Sequence, residues 1–151
     1  MHKIPIEYAR NKNENYSEPE RAVLILSGDR EKKANIMTAS WCTKVAKKPE
    51  ILWAVSIGKD RYTQELIMKY GEFVIAFPDE EGWDLLYKVG TCHGNKIDKI
   101  KGFGIKTAKA SVVKAPILLG CKGNLEIVVK YFKDNGSHYM FVGEVVEAWE
   151  G

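Results

Sequence analysis

The chain has 151 residues, 45% of them hydrophobic and 28% charged, which suits a single folded domain and argues against disorder. Its formal charge of +3, from 23 basic and 20 acidic residues, is too even to mark a polyanion binder unless the positive charge is clustered. No apolar run approaches the ~20 residues of a membrane span, so no membrane partner is expected.

Residues 1–20 are polar and read as an N-terminal arm, with one domain over 21–151. Cys42, Cys92 and Cys121 are too far apart for a CxxC motif. With no signal peptide ahead of them they are expected to be free thiols in the cytoplasm. Arg21 to Ser27 is rich in Leu and β-branched residues and stops at Gly28-Asp29, so a strand is predicted. Glu31-Lys32-Lys33 makes a turn into the stretch Ala34–Val45, whose first residues pair back as a hairpin.

That stretch, Ala-Asn-Ile-Met-Thr-Ala-Ser-Trp-Cys-Thr-Lys-Val, is too polar for an ordinary core strand and too apolar for a solvated loop. Asn35, Thr38, Ser40 and Thr43 supply donors and acceptors around the Trp41 indole. A flat aromatic ligand with polar edges would suit it. A strand crossing a barrel corner, its hydroxyls satisfied locally, accounts for the same residues.

Ile51–Ile57 reads as a buried strand ending at Gly58, and Arg61–Tyr70 as a short helix stopped by Gly71. Phe73–Phe77 returns to strand, and Glu80–Val89 carries a helical apolar face. The segment 90–111, with four glycines and five lysines, shows no regular period, and a loop of that length in a compact domain is usually functional or mobile. Leu125–Lys133 and His138–Trp149 flank Asp134-Asn135-Gly136-Ser137, a strong hairpin signal. Five to seven strands with short connections favour a closed or partly closed antiparallel barrel. Neither GxGxxG nor GxxxxGK[ST] occurs, so a Rossmann or P-loop site is not supported.

Between strand and helix, Ser56-Ile-Gly-Lys-Asp-Arg-Tyr-Thr63 sets Gly58, Arg61 and Thr63 beside the first free N–H groups of the helix. A helix N-terminus with a guanidinium is an anion site. Against that, Asp60 or Thr63 capping the helix, with Arg61 in solvent, would look the same.

Asn35-Ile-Met-Thr-Ala-Ser-Trp-Cys-Thr43, Val55-Ser-Ile-Gly58 and Arg61-Tyr-Thr63 together resemble the flavin reductase-like, FMN-binding split-barrel family, and its flavoredoxin branch most nearly. Glu72–Pro78, Asp98-Lys99-Ile100 and Gly143–Val146 come next in the family's order. The resemblance implies a mainly β, Greek-key antiparallel split barrel with short helices. It places Asn35 and Trp41 at the isoalloxazine end of FMN, with Thr38, Ala39 and Ser40 offering donors nearby. Thr63, with Arg61 close by, falls at the ribityl phosphate, and Ser56 and Tyr62 are counted among the cofactor-binding residues. Lys99 and His138 match a basic pair near the cofactor, although Ile100 stands where many relatives have Phe. Family members often continue beyond a point equivalent to Gly151, which would leave this site more open or completed by another subunit.

Alone, Trp41 reads as core as readily as stacking surface, and His138 as a solvated turn histidine or a proton donor near flavin. Cys42 is either an inert thiol or, with His138, a catalytic group on the substrate side. Cys92-His93 is short of the three or four ligands zinc takes, and no metal is expected. The expectation is an FMN-dependent oxidoreductase, a homodimer, passing electrons from NADH, NADPH or a redox protein to free flavin or a ferric chelate. Its rivals are an FMN electron carrier without nicotinamide oxidation, and a nucleic-acid-binding barrel, which would need clustered lysines.

Overall fold

In a computed structural model, residues 22–79 and 83–151 are described, together with Met1. The expected arm (Met1 apart), Arg21 of the expected first strand and residues 80–82 of the expected helix Glu80–Val89 therefore lie outside the described residues. Among the described residues, nine strands and three helices run in the order β1 (Val23–Gly28), β2 (Ala34–Ala39), β3 (Cys42–Ala46), β4 (Leu52–Gly58), α1 (Tyr62–Tyr70), β5 (Glu72–Phe77), α2 (Trp83–Gly90), α3 (Lys99–Gly102), β6 (Thr107–Ala108), β7 (Ile117–Leu118), β8 (Gly123–Asp134) and β9 (His138–Glu150).

Seven strands form one antiparallel sheet in the order β2-β1-β5-β8-β9-β4-β3, and β6 pairs with β7 apart from it. The outermost strands, β2 and β3, are neighbours in sequence, joined by Ser40 and Trp41 alone. In a flat sheet they would stand roughly 29 Å apart, at about 4.8 Å per strand. The three Cα steps from Ala39 to Cys42 reach about 11 Å at most. The sheet must therefore curl until its two edges approach each other without hydrogen-bonding, which is a split barrel. The stretch expected from its composition to be either ligand-binding or a barrel corner is this crossing.

Two apolar layers arise from the alternation of β1. Val23 and Ile25 point inward with Val55, Ile57, Phe73, Ile75, Ile127 and Phe141, and α1 adds Ile67. Leu24 and Leu26 point outward under Leu86 and Val89 of α2 and the segment carrying Ala110, Val113, Ala115 and Ile117. In α1 the buried stripe is Thr63, Leu66 and Ile67, with Tyr70 half-buried beside it. Gly71 ends the helix at φ 68°, its N–H on Ile67 O at 2.8 Å, a conformation that glycine adopts without Cβ strain.

The 90–111 segment departs from expectation. It contains α3, capped by Asp98, whose Oδ1 accepts from Lys101 N at 3.1 Å, and it continues through β6. Glu126 anchors the turn beyond β6. Its carboxylate, fully buried, accepts from the backbone N–H groups of Ser111, Val112 and Val113 at 3.0, 2.7 and 3.0 Å and from Trp149 Nε1 at 2.7 Å. The β8–β9 turn is as read from Asn135-Gly136, with Gly136 at φ 92°. No helix among the described residues is long and apolar enough to cross a membrane.

Candidate functional site

The site begins at the N-terminus of α1. Arg61 is its N-cap residue, and no side chain caps the helix. Neither Asp60 nor Thr63 takes that role, so among the described residues the first-turn donors have no side-chain partner and face water or a ligand. Among the described residues, the one ion pair of Arg61 is a long contact to Asp60 Oδ1, at 3.9 Å.

Behind the helix start, Thr63 is buried and its Oγ1 accepts from Asn35 Nδ2 at 3.0 Å. Accepting from Asn35 uses one of the two hydroxyl lone pairs and leaves the Thr63 proton available for another acceptor. Asn35, also buried, meets Gly94 on its other side: a Cβ there would lie 1.8 Å from Asn35 Oδ1. Lys99 is buried to 4% exposure and donates one Nζ–H to Ile36 O at 3.0 Å. Burial holds its ammonium below the usual lysine range, with Cys92 acting upward and Arg61 downward.

Asn35, Thr38, Arg61, Tyr62, Thr63 and Lys99, all singled out from sequence, line one cleft. Cys92, His93 and Gly94 line it too, and sequence reasoning gave them no part in it. Their signal in the sequence was the Cys92-His93 pair beside Gly94, which was weighed only as a metal site. The Thr38 hydroxyl is engaged, donating to Leu86 O of α2 at 2.6 Å. Among the described residues no group of three or more His, Cys, Asp and Glu could hold a metal ion.

A second cluster stands at the corner. Trp41 is 51% exposed and lies against His138, ring centroids 4.8 Å apart at 44°. Its carbonyl accepts from Ser56 N at 2.9 Å, and Ser40 O accepts from Cys42 N at 3.0 Å. His138 Nδ1 shares a 2.8 Å hydrogen bond with Ser137 Oγ. Gly58 joins the clusters: Arg61 Cγ and His138 Nε2 lie 3.6 and 3.7 Å from the point its Cβ would occupy.

Ala39 is buried in the inner core, opposite Val23. What it can offer is main chain, because an edge strand leaves alternate N–H and C=O groups unpaired. Cys42 packs against the same core, and burial pushes its thiol up to about 12. It is a neutral thiol at physiological pH, which fits the inert reading and not a thiolate facing substrate.

The donor set therefore fits an elongated ligand with an anionic end and a flat end. Arg61, Thr63 and the helix start would face the anionic end, and Trp41, packed on His138, stands on the other side of Gly58 from Arg61.

The chain is 38% identical over 136 residues to an uncharacterized protein of Archaeoglobus fulgidus, covering 90% of this chain and 75% of that one. In structure it is similar to the flavoredoxin of Methanosarcina acetivorans, with TM-score 0.78 and 29% identity over 87% of this chain and 69% of that one. It is also similar to an FMN-binding protein of Thermus thermophilus with bound 1-cyclohex-2-enone, with TM-score 0.81 and 26% identity over 99% and 77%. The family described as flavin reductase like domain matches residues 16–151, and the chain belongs to that family.

Proposed function

We propose that the protein is an oxidoreductase that holds FMN without a covalent link. It passes electrons from a reduced nicotinamide or a redox protein to a small acceptor such as free flavin or a ferric chelate. The observation carrying this reading is the uncapped start of α1, with Arg61 and Thr63, which Gly58 separates from His138 and so from the exposed Trp41 indole packed on that ring. Similarity to a flavoredoxin and an FMN-binding protein supports FMN over other phosphorylated ligands.

Bound FMN would supply the redox chemistry, and the protein its position and surroundings. Arg61, the Thr63 hydroxyl and the first N–H groups of α1 hold the phosphate. Asn35 fixes the Thr63 rotamer. Lys99 adds a positive charge to the cleft, which stabilises an anion there. Trp41 covers an apolar face of the ligand, and His138, steadied by Ser137, is placed to hold or give a proton at Nε2. Cys42 is assigned to packing. Homodimerisation belongs to the same proposal, with Val45, Ile51, Tyr131 and Phe132 as exposed apolar side chains for a partner copy. Three free cysteines suit a reducing compartment such as the cytoplasm.

The absorbance spectrum of the purified protein tests the cofactor: a flavin spectrum is expected, with FMN released on denaturation. Protein that stays colourless after incubation with excess FMN would sink the reading. Anaerobic mixing with NADH and NADPH tests the donor, with bleaching expected. Persistent yellow colour with both would leave an electron carrier served by another protein.

A further inference from the structure

The modest total charge hides a concentration of positive charge on one face. Residues 90–114 hold six lysines and a single acid, Asp98, a surplus of five, while the whole chain has a surplus of three. The remainder of the chain is therefore net acidic. Five of the six lysines are exposed, and the sixth is Lys99 of the cleft. The fold adds the β1–β2 turn to this segment, with Arg30 N donating to Lys114 O at 2.9 Å. Arg30, Lys32 and Lys33 of that turn border one concavity with Lys101 of α3. None of these four cations forms an ion pair among the described residues. The acids beside them turn an oxygen to backbone N–H groups instead: Asp98 to Lys101, Asp29 to Glu31 and Glu72 to Lys114, at 3.1, 2.9 and 3.1 Å. Ile97 and Phe103, on either side of α3, are 42% and 38% exposed.

An exposed aromatic and an aliphatic side chain within a cationic rim have the anatomy of a protein–protein contact, and the charge calls for an acidic partner. Single-stranded nucleic acid would call for several stacking platforms, and Phe103 is alone between residues 90 and 114. The face borders the cleft: Lys33 Nζ lies 4.7 Å from the centroid of the Tyr62 ring, and Tyr62 lines the cleft. Lys99 of the cleft stands between Asp98 and Ile100 of the concavity. We propose that this face is the docking surface for a small acidic electron-carrier protein, which delivers its electrons on this side of the cleft. Encounters of that kind are small and transient and rely on steering by charge, so a compact basic face suffices. Each docking oxidises one carrier by one electron. Two dockings supply the two electrons that reduce the bound flavin, with the accompanying proton drawn from solvent. The purpose of the docking rests on the flavin reading, but the docking itself rests on charge and does not need the flavin.

The test is calorimetric titration of the protein as purified with an iron–sulfur ferredoxin of net negative charge, at about 20 and about 300 mM salt. Basic cytochrome c is the control and should not bind. Affinity for the ferredoxin is expected to fall at least tenfold across that range, because salt shortens the reach of exposed charges. The double variant Lys32→Glu/Lys101→Glu should bind at least tenfold more weakly at low salt, with flavin content and melting temperature unchanged. Lys101→Arg, which keeps the charge, should stay within a few-fold of wild type, and Phe103→Ala should weaken binding alike at both salts. Ferredoxin reduced beforehand should bleach the flavin-loaded protein, and more slowly in the double variant. Equal binding by wild type and double variant, affinity indifferent to salt, no binding at low salt, or binding without bleaching overturns the proposal. So does tighter binding of a single-stranded oligonucleotide than of the ferredoxin, which would give the face to nucleic acid. Should the purified protein carry no flavin, the preceding reading fails by itself, and the titrations still decide the docking.

Discussion

Thr63 shows how a buried hydroxyl becomes useful. Asn35 occupies its acceptor side, so its proton is left to serve an anion at the helix start. Thr63→Ala is expected to weaken FMN binding and to leave the Asn35 amide without its partner, at about 1–3 kcal/mol of stability. Arg61→Ala removes a charged donor whose one ion pair among the described residues is the long contact to Asp60. FMN affinity should fall roughly ten- to hundredfold, measured by fluorescence titration, with the melting temperature little changed. Cys42→Ala should leave turnover with every acceptor as it was and cost about 1 kcal/mol of stability. Altered turnover would restore the thiol to the chemistry. Asn35, Arg61 and Thr63 were legible because the sequence sets a polar run and a helix start in the family's order. That Thr63 faces Asn35 was not, since 28 residues separate them and only the fold brings them together.

At the scale of elements, sequence was a good guide where local chemistry decides and a poor one where distant contacts do. The β8–β9 hairpin was evident from Asn135-Gly136, and α1 from its apolar stripe and Gly71. The central stretch was read as one segment, because nothing in Ser40-Trp41 says that the strands on either side take opposite edges of a sheet. The 90–111 segment hid α3, a single turn too short for a period to show. That segment also sets a close approach on the site. With Gly94 against Asn35, Gly94→Ala has no room and must displace the Asn35 amide or the loop. The expected result is about 1–3 kcal/mol of lost stability together with poorer FMN retention, seen by thermal melting and by dialysis of the loaded protein.

For the molecule as a whole, Glu126 is the residue sequence could not rank. Embedded in the apolar run of β8, it reads as an ordinary strand glutamate, yet it ties the 111–113 backbone and the Trp149 indole to the sheet. Burial pushes its carboxyl upward, but the Trp149 indole and the three backbone donors outweigh this and hold it below the usual glutamate range. A carboxyl depressed in the folded state contributes its full stability above the unfolded value, about pH 4.3, and loses it as pH falls through the folded one. Melting curves of wild type should therefore drop through and below that pH more than those of Glu126→Gln. At neutral pH the variant should be less stable by about 2–4 kcal/mol.

The sheet order also fixes a timetable. Strand β4 pairs only with β3 and β9, so the β3–β4 hairpin, with Trp41 at its entrance, has no place in the sheet until β9 exists. During translation the Asn35–Thr63 half of the pocket can assemble from the growing chain while its aromatic half waits for His138 and the strand it opens. On a ribosome stalled before β9, the nascent chain would be expected to bind FMN by its phosphate alone, and loosely.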